Sequence, residues 1–140
     1  MAVRPSPNQS THYLPFWSQL HQGVITVEVC SSCNRSLPYG TFICQDHGID
    51  KVESHTTATR GQLLTHTTIE KHHHPLLDLE APYSIGVVKE DRFGALIYCR
   101  IEGEITDDGC SIALSTRDFG DGVTLVVATP LPESQTDTTT

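Results

Sequence analysis

The chain has 140 residues, 37 % of them hydrophobic, and 17 acidic against 9 basic side chains give it a formal net charge of −8. That length suits one domain, or a main domain with a small appendage. The acidic balance argues against a general nucleic-acid binder, because neutralising phosphates takes clustered Lys and Arg and this field repels a polyanion. No run approaches the ~18 apolar residues of a membrane span.

Residues 1–12 are polar and Pro-containing, without the apolar segment of a secretory signal; we expect them to be disordered. Tyr13, Phe16, Trp17 and Leu20 then recur at helical spacing, with Pro15 tolerable in a first turn and Gly23 placed as a stop. A helix this short is unstable without a surface to lie on. Phe16, Trp17 and Leu20 therefore either pack on their own domain or dock on a partner, and the sequence leaves both open.

Val24-Ile-Thr-Val-Glu-Val29 alternates like a half-buried strand and leads into Cys30-Ser-Ser-Cys33. Ten residues later comes Cys44-Gln-Asp-His47. Two pairs of soft ligands, separated by a turn (Leu37-Pro38-Tyr39-Gly40) and a return strand (Phe42-Ile43), have the layout of a zinc ribbon. Thiolate and neutral imidazole suit Zn²⁺, and a structural site closes its tetrahedron with four protein groups. The alternatives are a ribbon without metal, with His47 a surface residue, and a Cys30–Cys33 disulfide. Nothing reads as a βαβ redox fold or marks a secreted chain, so we expect structural zinc on Cys30, Cys33, Cys44 and His47. Cys99 and Cys110 remain as free thiols, which suggests a reducing, cytoplasmic compartment.

After Gly48 the composition shifts toward Thr, Val, Ile and Gly, and we place a module boundary near Asp50, giving modules 13–49 and 50–130. Five strand candidates follow: 55–70, bent by a bulge at Gly61; 84–89; 95–101; 110–115; and 123–128, set off by Gly120-Asp121-Gly122. Five strands, the first long and bent, predict an OB-type Greek-key barrel. The fold class is mainly β: a short N-terminal helix, a rubredoxin-like zinc ribbon, then a five-stranded OB-fold barrel. The tail, 131–140, has little to bury and is expected to be disordered.

A catalytic set is not visible. Cys99 lies in an apolar strand, where Cys is usually a small buried hydrophobe, and no His adjoins it. His72-His73-His74 precede Pro75, which favours extended backbone, so they read as a solvated loop. His55 and His66 read as sheet residues. Glu102, Glu104, Asp107 and Asp108 lie on Gly-containing turns and read as ordinary loop carboxylates.

The aromatic helix, the Cys-x2-Cys-x10-Cys-x2-His ribbon and a barrel containing Pro82-Tyr83-Ser-Ile-Gly-Val-Val-Lys89 together resemble one family, across residues 13–129. It is the zinc-ribbon OB-fold family of acyl-CoA metabolism catalogued as domain of unknown function 35. His47 departs from it, since the fourth ligand there is usually Cys. The resemblance implies a non-catalytic subunit that pairs with a thiolase-superfamily enzyme: a thiolase, an acyltransferase, a synthase, or an aldolase that cuts steroid side chains. Such a subunit helps form or cover the site of an acyl-coenzyme A thioester. Phe16, Trp17 and Leu20 are then candidates for partner docking. Arg35, Arg60, Arg92 and Arg100 are candidates for CoA phosphates on charge alone. The alternative is a nucleic-acid-binding ribbon and barrel module, stacking bases on Tyr83, Phe93, Tyr98 or Phe119.

Overall fold

Pro15 occupies the first turn of α1 (Leu14–His21), where its missing N–H is no loss to the helix. Gly23, at φ +85°, ends the segment with its N–H on the Leu20 carbonyl at 2.9 Å. The computed structural model describes residues 13–105 and 107–132; the ends expected to be disordered lie outside these, apart from Leu131 and Pro132. Leu20 is fully buried in the main core, and Phe16 and Trp17 are half-buried against it.

β1 (Thr26–Cys30) pairs antiparallel with β2 (Ser36–Leu37) and with β3 (Val52–Thr56) in a three-stranded sheet. β4 (Arg60–Ile69), β5 (Tyr83–Glu90), β6 (Leu96–Ile101), β7 (Ser111–Gly120) and β8 (Val123–Pro130) then close a barrel in the order β4-β5-β6-β8-β7. β6 and β8 run parallel and the other pairs antiparallel, the Greek-key arrangement of a five-stranded OB barrel. Asp121 and Gly122, both at positive φ, turn the β7–β8 hairpin, as Asp-Gly does in such turns.

In the ribbon the return strand is Ser36–Leu37, and Phe42-Ile43, expected to form it, belong to no strand. Beyond the ribbon sheet, three further details differ from the sequence reading. The long first strand expected at 55–70 is two strands, because the chain changes sheets at 57–59. There Thr57 N–H reaches the Ile25 carbonyl (2.9 Å) on the ribbon side, while Leu114 N–H takes the Thr59 carbonyl (2.7 Å) on the barrel side. Pairing therefore switches later than Asp50.

The bulge falls between Leu63 and Thr65, not at Gly61. Gly61 answers to a different constraint, close backbone approach: a Cβ there would lie 2.5 Å from the Lys89 carbonyl oxygen and 2.8 Å from a Val88 methyl. Gly61→Ala is expected to lower stability by about 1–3 kcal/mol, the usual cost of forcing atoms into a packed site. A urea midpoint measurement checks this.

The third difference is α2 (Pro75–Glu80), where we expected loop. His74 is its N-cap, its Nδ1 accepting from Leu76 N–H at 3.2 Å, and Asp78 Oδ1 accepts from His72 N–H at 2.9 Å. Pro75 at the first helical position was the available signal.

Inside the barrel, Leu63, Val88, Ile97, Cys99, Ile101, Ile112, Leu114, Val126 and Ala128 form the core, joined by Leu20 and Ile25. One charged group is buried with them. Glu90 is 1 % exposed and accepts from four backbone N–H groups: Ala58 (3.0 Å), Arg92 (2.8 Å), Phe93 (2.7 Å) and Ala95 (3.1 Å). It ties the ribbon-to-barrel connection to the β5–β6 turn.

Candidate metal centre and apolar groove

Each ligand pair sits in a tight turn of the same design. Asn34 N–H donates to the Cys30 carbonyl (2.7 Å), and Gly48 N–H donates to the Cys44 carbonyl (2.8 Å). The residue just after each second ligand is left-handed, Asn34 at φ +60° and Gly48 at φ +74°. Asn and Gly are the residues that adopt this conformation most readily. The two turns thus present Cys30 and Cys33, and Cys44 and His47, by the same local geometry.

The four ligand atoms all lie within 4.8 Å of one another. Cys33 Sγ is 3.8 Å from Cys44 Sγ, and His47 Nδ1 is 3.6 Å from both Cys30 Sγ and Cys44 Sγ. A tetrahedral ion with bonds of about 2.3 Å to sulfur and 2.0–2.1 Å to nitrogen has edges of about 3.8 Å (S···S) and 3.6 Å (S···N). These three separations match the edges of a zinc tetrahedron, and all five cysteines are free thiols rather than disulfides. Burial opposes ionisation of Cys30, but the backbone N–H groups of Cys33 and Ser32 outweigh it and lower the thiol pKa. Backbone N–H of Asp46 and the His47 side chain lower Cys44 likewise. Cys33 is raised: the Arg35 N–H favours the thiolate, but burial and the Cys30 and Cys44 sulfurs prevail. The cluster can hold a structural metal such as zinc.

Beside the ribbon lies an apolar groove of about 720 Å³. One wall is the aromatic face of α1 with the loop between the ligand pairs, including Phe16, Trp17, Tyr39 and Phe42. The other is the outer face of β5 and β6, with Ile85, Val87, Leu96 and Tyr98. These side chains alternate with core residues Val88, Ile97 and Cys99 along the same strands. Tyr98 is 71 % exposed, and Leu79 of α2 83 %.

The sequence reading named Phe16, Trp17 and Leu20 as docking candidates on the helix side and, on the strand side, only Tyr83, Tyr98 and Arg100 for other roles; it did not read the strand side as an apolar wall. A signal was present: Val87-Val88 and Ala95-Leu-Ile-Tyr-Cys99 are apolar at consecutive positions, as in strands covered on both faces. Leu20, one of the three docking candidates, lines the groove beside Phe16 and Trp17 but is fully buried in the core, so Phe16 and Trp17 are the two of the three with exposed surface.

The four candidate arginines are dispersed. Arg35 pairs with Asp46 (3.6 Å) on the ribbon. Arg92 donates to the Thr56 carbonyl and lies over Phe93, near Arg60, whose carbonyl accepts from Asp91 N–H. Arg100 lines the groove, yet its guanidinium pairs with Glu80 at 2.7 Å and stacks 3.8 Å from the Tyr83 ring centre. Of the histidines, His66 Nδ1 contacts Asp108 Oδ1 at 2.7 Å and His55 lies 3.6 Å from Glu53. Among the described residues, no helix is long and apolar enough to cross a membrane.

No protein-family profile and no curated protein matches this chain. Among solved structures, a chain of the one described as "Ltp2-ChsH2(DUF35) aldolase" superposes with a TM-score of 0.75 at 19 % identity. The two chains share a fold. The match covers 91 % of this chain and 98 % of that one, so helix, ribbon and barrel together are the common unit.

Proposed function

We propose that this protein is a non-catalytic accessory subunit that binds a thiolase-superfamily enzyme and helps form or cover its acyl-CoA site. The carrying observation is the groove: about 720 Å³, apolar on both walls and open beside Leu96 and Tyr98. Contiguous apolar surface of this kind on a chain of net charge −8 marks a binding surface. The shared fold with a chain of an aldolase assembly supports the same reading. In it, zinc on Cys30, Cys33, Cys44 and His47 is structural, since all four tetrahedral positions are taken by protein.

The chain's own thiols speak against a cysteine nucleophile. Burial pushes Cys99 up to about 11, and burial with the nearby Asp107 charge raises Cys110. Both shifts disfavour the thiolate, which is the nucleophilic form of the side chain. Phe16 and Trp17 are proposed to meet the partner or the acyl chain. Of the proposed phosphate-binding arginines, Arg35, Arg60 and Arg92 are on the surface, and Arg100 shapes the groove through Glu80 and Tyr83.

The test is affinity capture of the tagged chain from its native lysate, with bound proteins identified by mass spectrometry. Recovery of a thiolase-fold enzyme supports the assignment. Recovery of nucleic acid or its polymerases instead would favour the nucleic-acid module. Tyr98→Asp is expected to weaken the enzyme complex at least ~30-fold, the effect of a hot-spot residue. Its melting temperature should be unchanged, because Tyr98 is exposed in the free chain.

A further inference from the structure

The ten residues between the two ligand pairs are themselves a wall of the groove. Leu37, Pro38, Tyr39, Gly40 and Phe42 all line it. Beyond the ligands, its backbone is held by the two paired residues of β2, by Cys30 N–H on the Arg35 carbonyl at 3.0 Å and by Thr41 N–H on the Pro38 carbonyl at 2.9 Å, and Leu37 is buried. Its ends are Cys33 and Cys44, whose sulfurs are 3.8 Å apart.

The loop also packs on the aromatic face of α1, whose Leu20 is held in the barrel core. The Tyr39 ring centre lies 5.2 Å from that of Tyr13, 5.3 Å from Phe16 and 6.3 Å from Trp17, and Trp17 Nε1–H donates to the Tyr39 hydroxyl at 2.9 Å. Phe42 packs edge-on to Tyr13 at 5.3 Å. Opposite, β5 is hydrogen-bonded to β4 on one side and β6 on the other, independently of the ribbon. The strand wall is fixed by the barrel; of the other wall, α1 is anchored to the barrel by Leu20 and by His21 Nδ1 on Thr124 Oγ1 at 2.9 Å, and only the loop stands on the ligand turns.

We propose that metal occupancy at Cys30, Cys33, Cys44 and His47 governs the groove. With the metal bound, 34–43 stands as its wall against α1; without it the wall opens and the Trp17 ring loses the cover of Tyr39 and gains exposure to water. The inference rests on reading the cluster as a metal site. Ordering a loop of this length costs conformational entropy that its few hydrogen bonds do not offset, whereas binding free energy at a ribbon site is folding free energy. The groove's ligand or partner is then held only by the metal-loaded chain.

Trp17 is the chain's one tryptophan, so its emission reports this contact directly. Zinc is withdrawn from the full chain with a chelator, released metal is measured colorimetrically, and emission, acrylamide quenching and amide exchange are followed. Release should red-shift Trp17 and raise its quenching severalfold, reversibly on adding one equivalent of zinc. Core barrel amides at Leu63, Val88 and Ile112 should keep their protection. Cys33→Ser should show the released spectrum without chelator. Zinc loss that leaves Trp17 unchanged overturns the inference alone, as does loss of barrel protection in the same step. A chain that binds no zinc overturns it together with the metal assignment.

Discussion

Cys44→Ser is expected to purify without zinc, where the unaltered chain holds one ion. Cys44 is buried and lies 3.8 Å from Cys33 Sγ and 3.6 Å from His47 Nδ1. A serine hydroxyl is a poor replacement for a thiolate that local N–H groups already favour. Structural zinc contributes on the order of 10 kcal/mol or more to a module of this type, so the ribbon should lose its fixed structure while the barrel still melts cooperatively. His47→Cys supplies the sharper comparison. It should retain one zinc, because a fourth thiolate completes the same tetrahedron, whereas His47→Ala should bind it far more weakly. Metal analysis and calorimetry with and without chelator check all three. Full zinc retention in Cys44→Ser would show that the ligand set is different.

Glu90→Gln should be the most destabilising conservative change in the barrel. The carboxylate takes four N–H donors while 1 % exposed, and an amide presents one oxygen and a competing N–H₂ to the same four. Two unmet buried donors at about 1–3 kcal/mol each give a loss of roughly 2–6 kcal/mol. Burial works against ionisation of Glu90, but the N–H groups of Ala58, Ala95, Arg92 and Phe93 overcome it and hold its pKa below the ordinary 4.5. A carboxyl whose folded pKa is depressed contributes stability above its unfolded pKa and loses it as pH falls through the folded value. The difference in unfolding free energy between the parent and Glu90→Gln should thus be constant above about pH 5.5 and shrink as pH falls below about 4.5. Urea titrations at a series of pH values measure it. A gap that stays constant into acid would mean that Glu90 is not the anion its hydrogen bonds imply.

The parts of this protein legible in its sequence are those fixed within a few residues. Cys-x2-Cys and Cys-x2-His declare their chemistry because a two-residue spacer is what lets one backbone turn aim both ligands at one point. Gly23 stops α1, and Asp121-Gly122 turns the last hairpin, because each needs a conformation that few other residues adopt. The barrel strands showed as runs rich in Val, Ile and Thr set apart by Gly-containing turns.

What only the tertiary structure decided depends on groups far apart in the chain. The break at 57–59 exists because Ile25 and Leu114 lie on either side to receive it, and nothing local in Thr-Ala-Thr announces that. Gly61 reads as a bulge until Lys89 is known to lie against it. Glu90 looks like any turn carboxylate until Ala58, some thirty residues earlier, brings its N–H to it. The groove is the largest such case. Its walls, α1 with the ribbon loop and β5 with β6, are each apolar for reasons visible in sequence, but only folding sets them face to face.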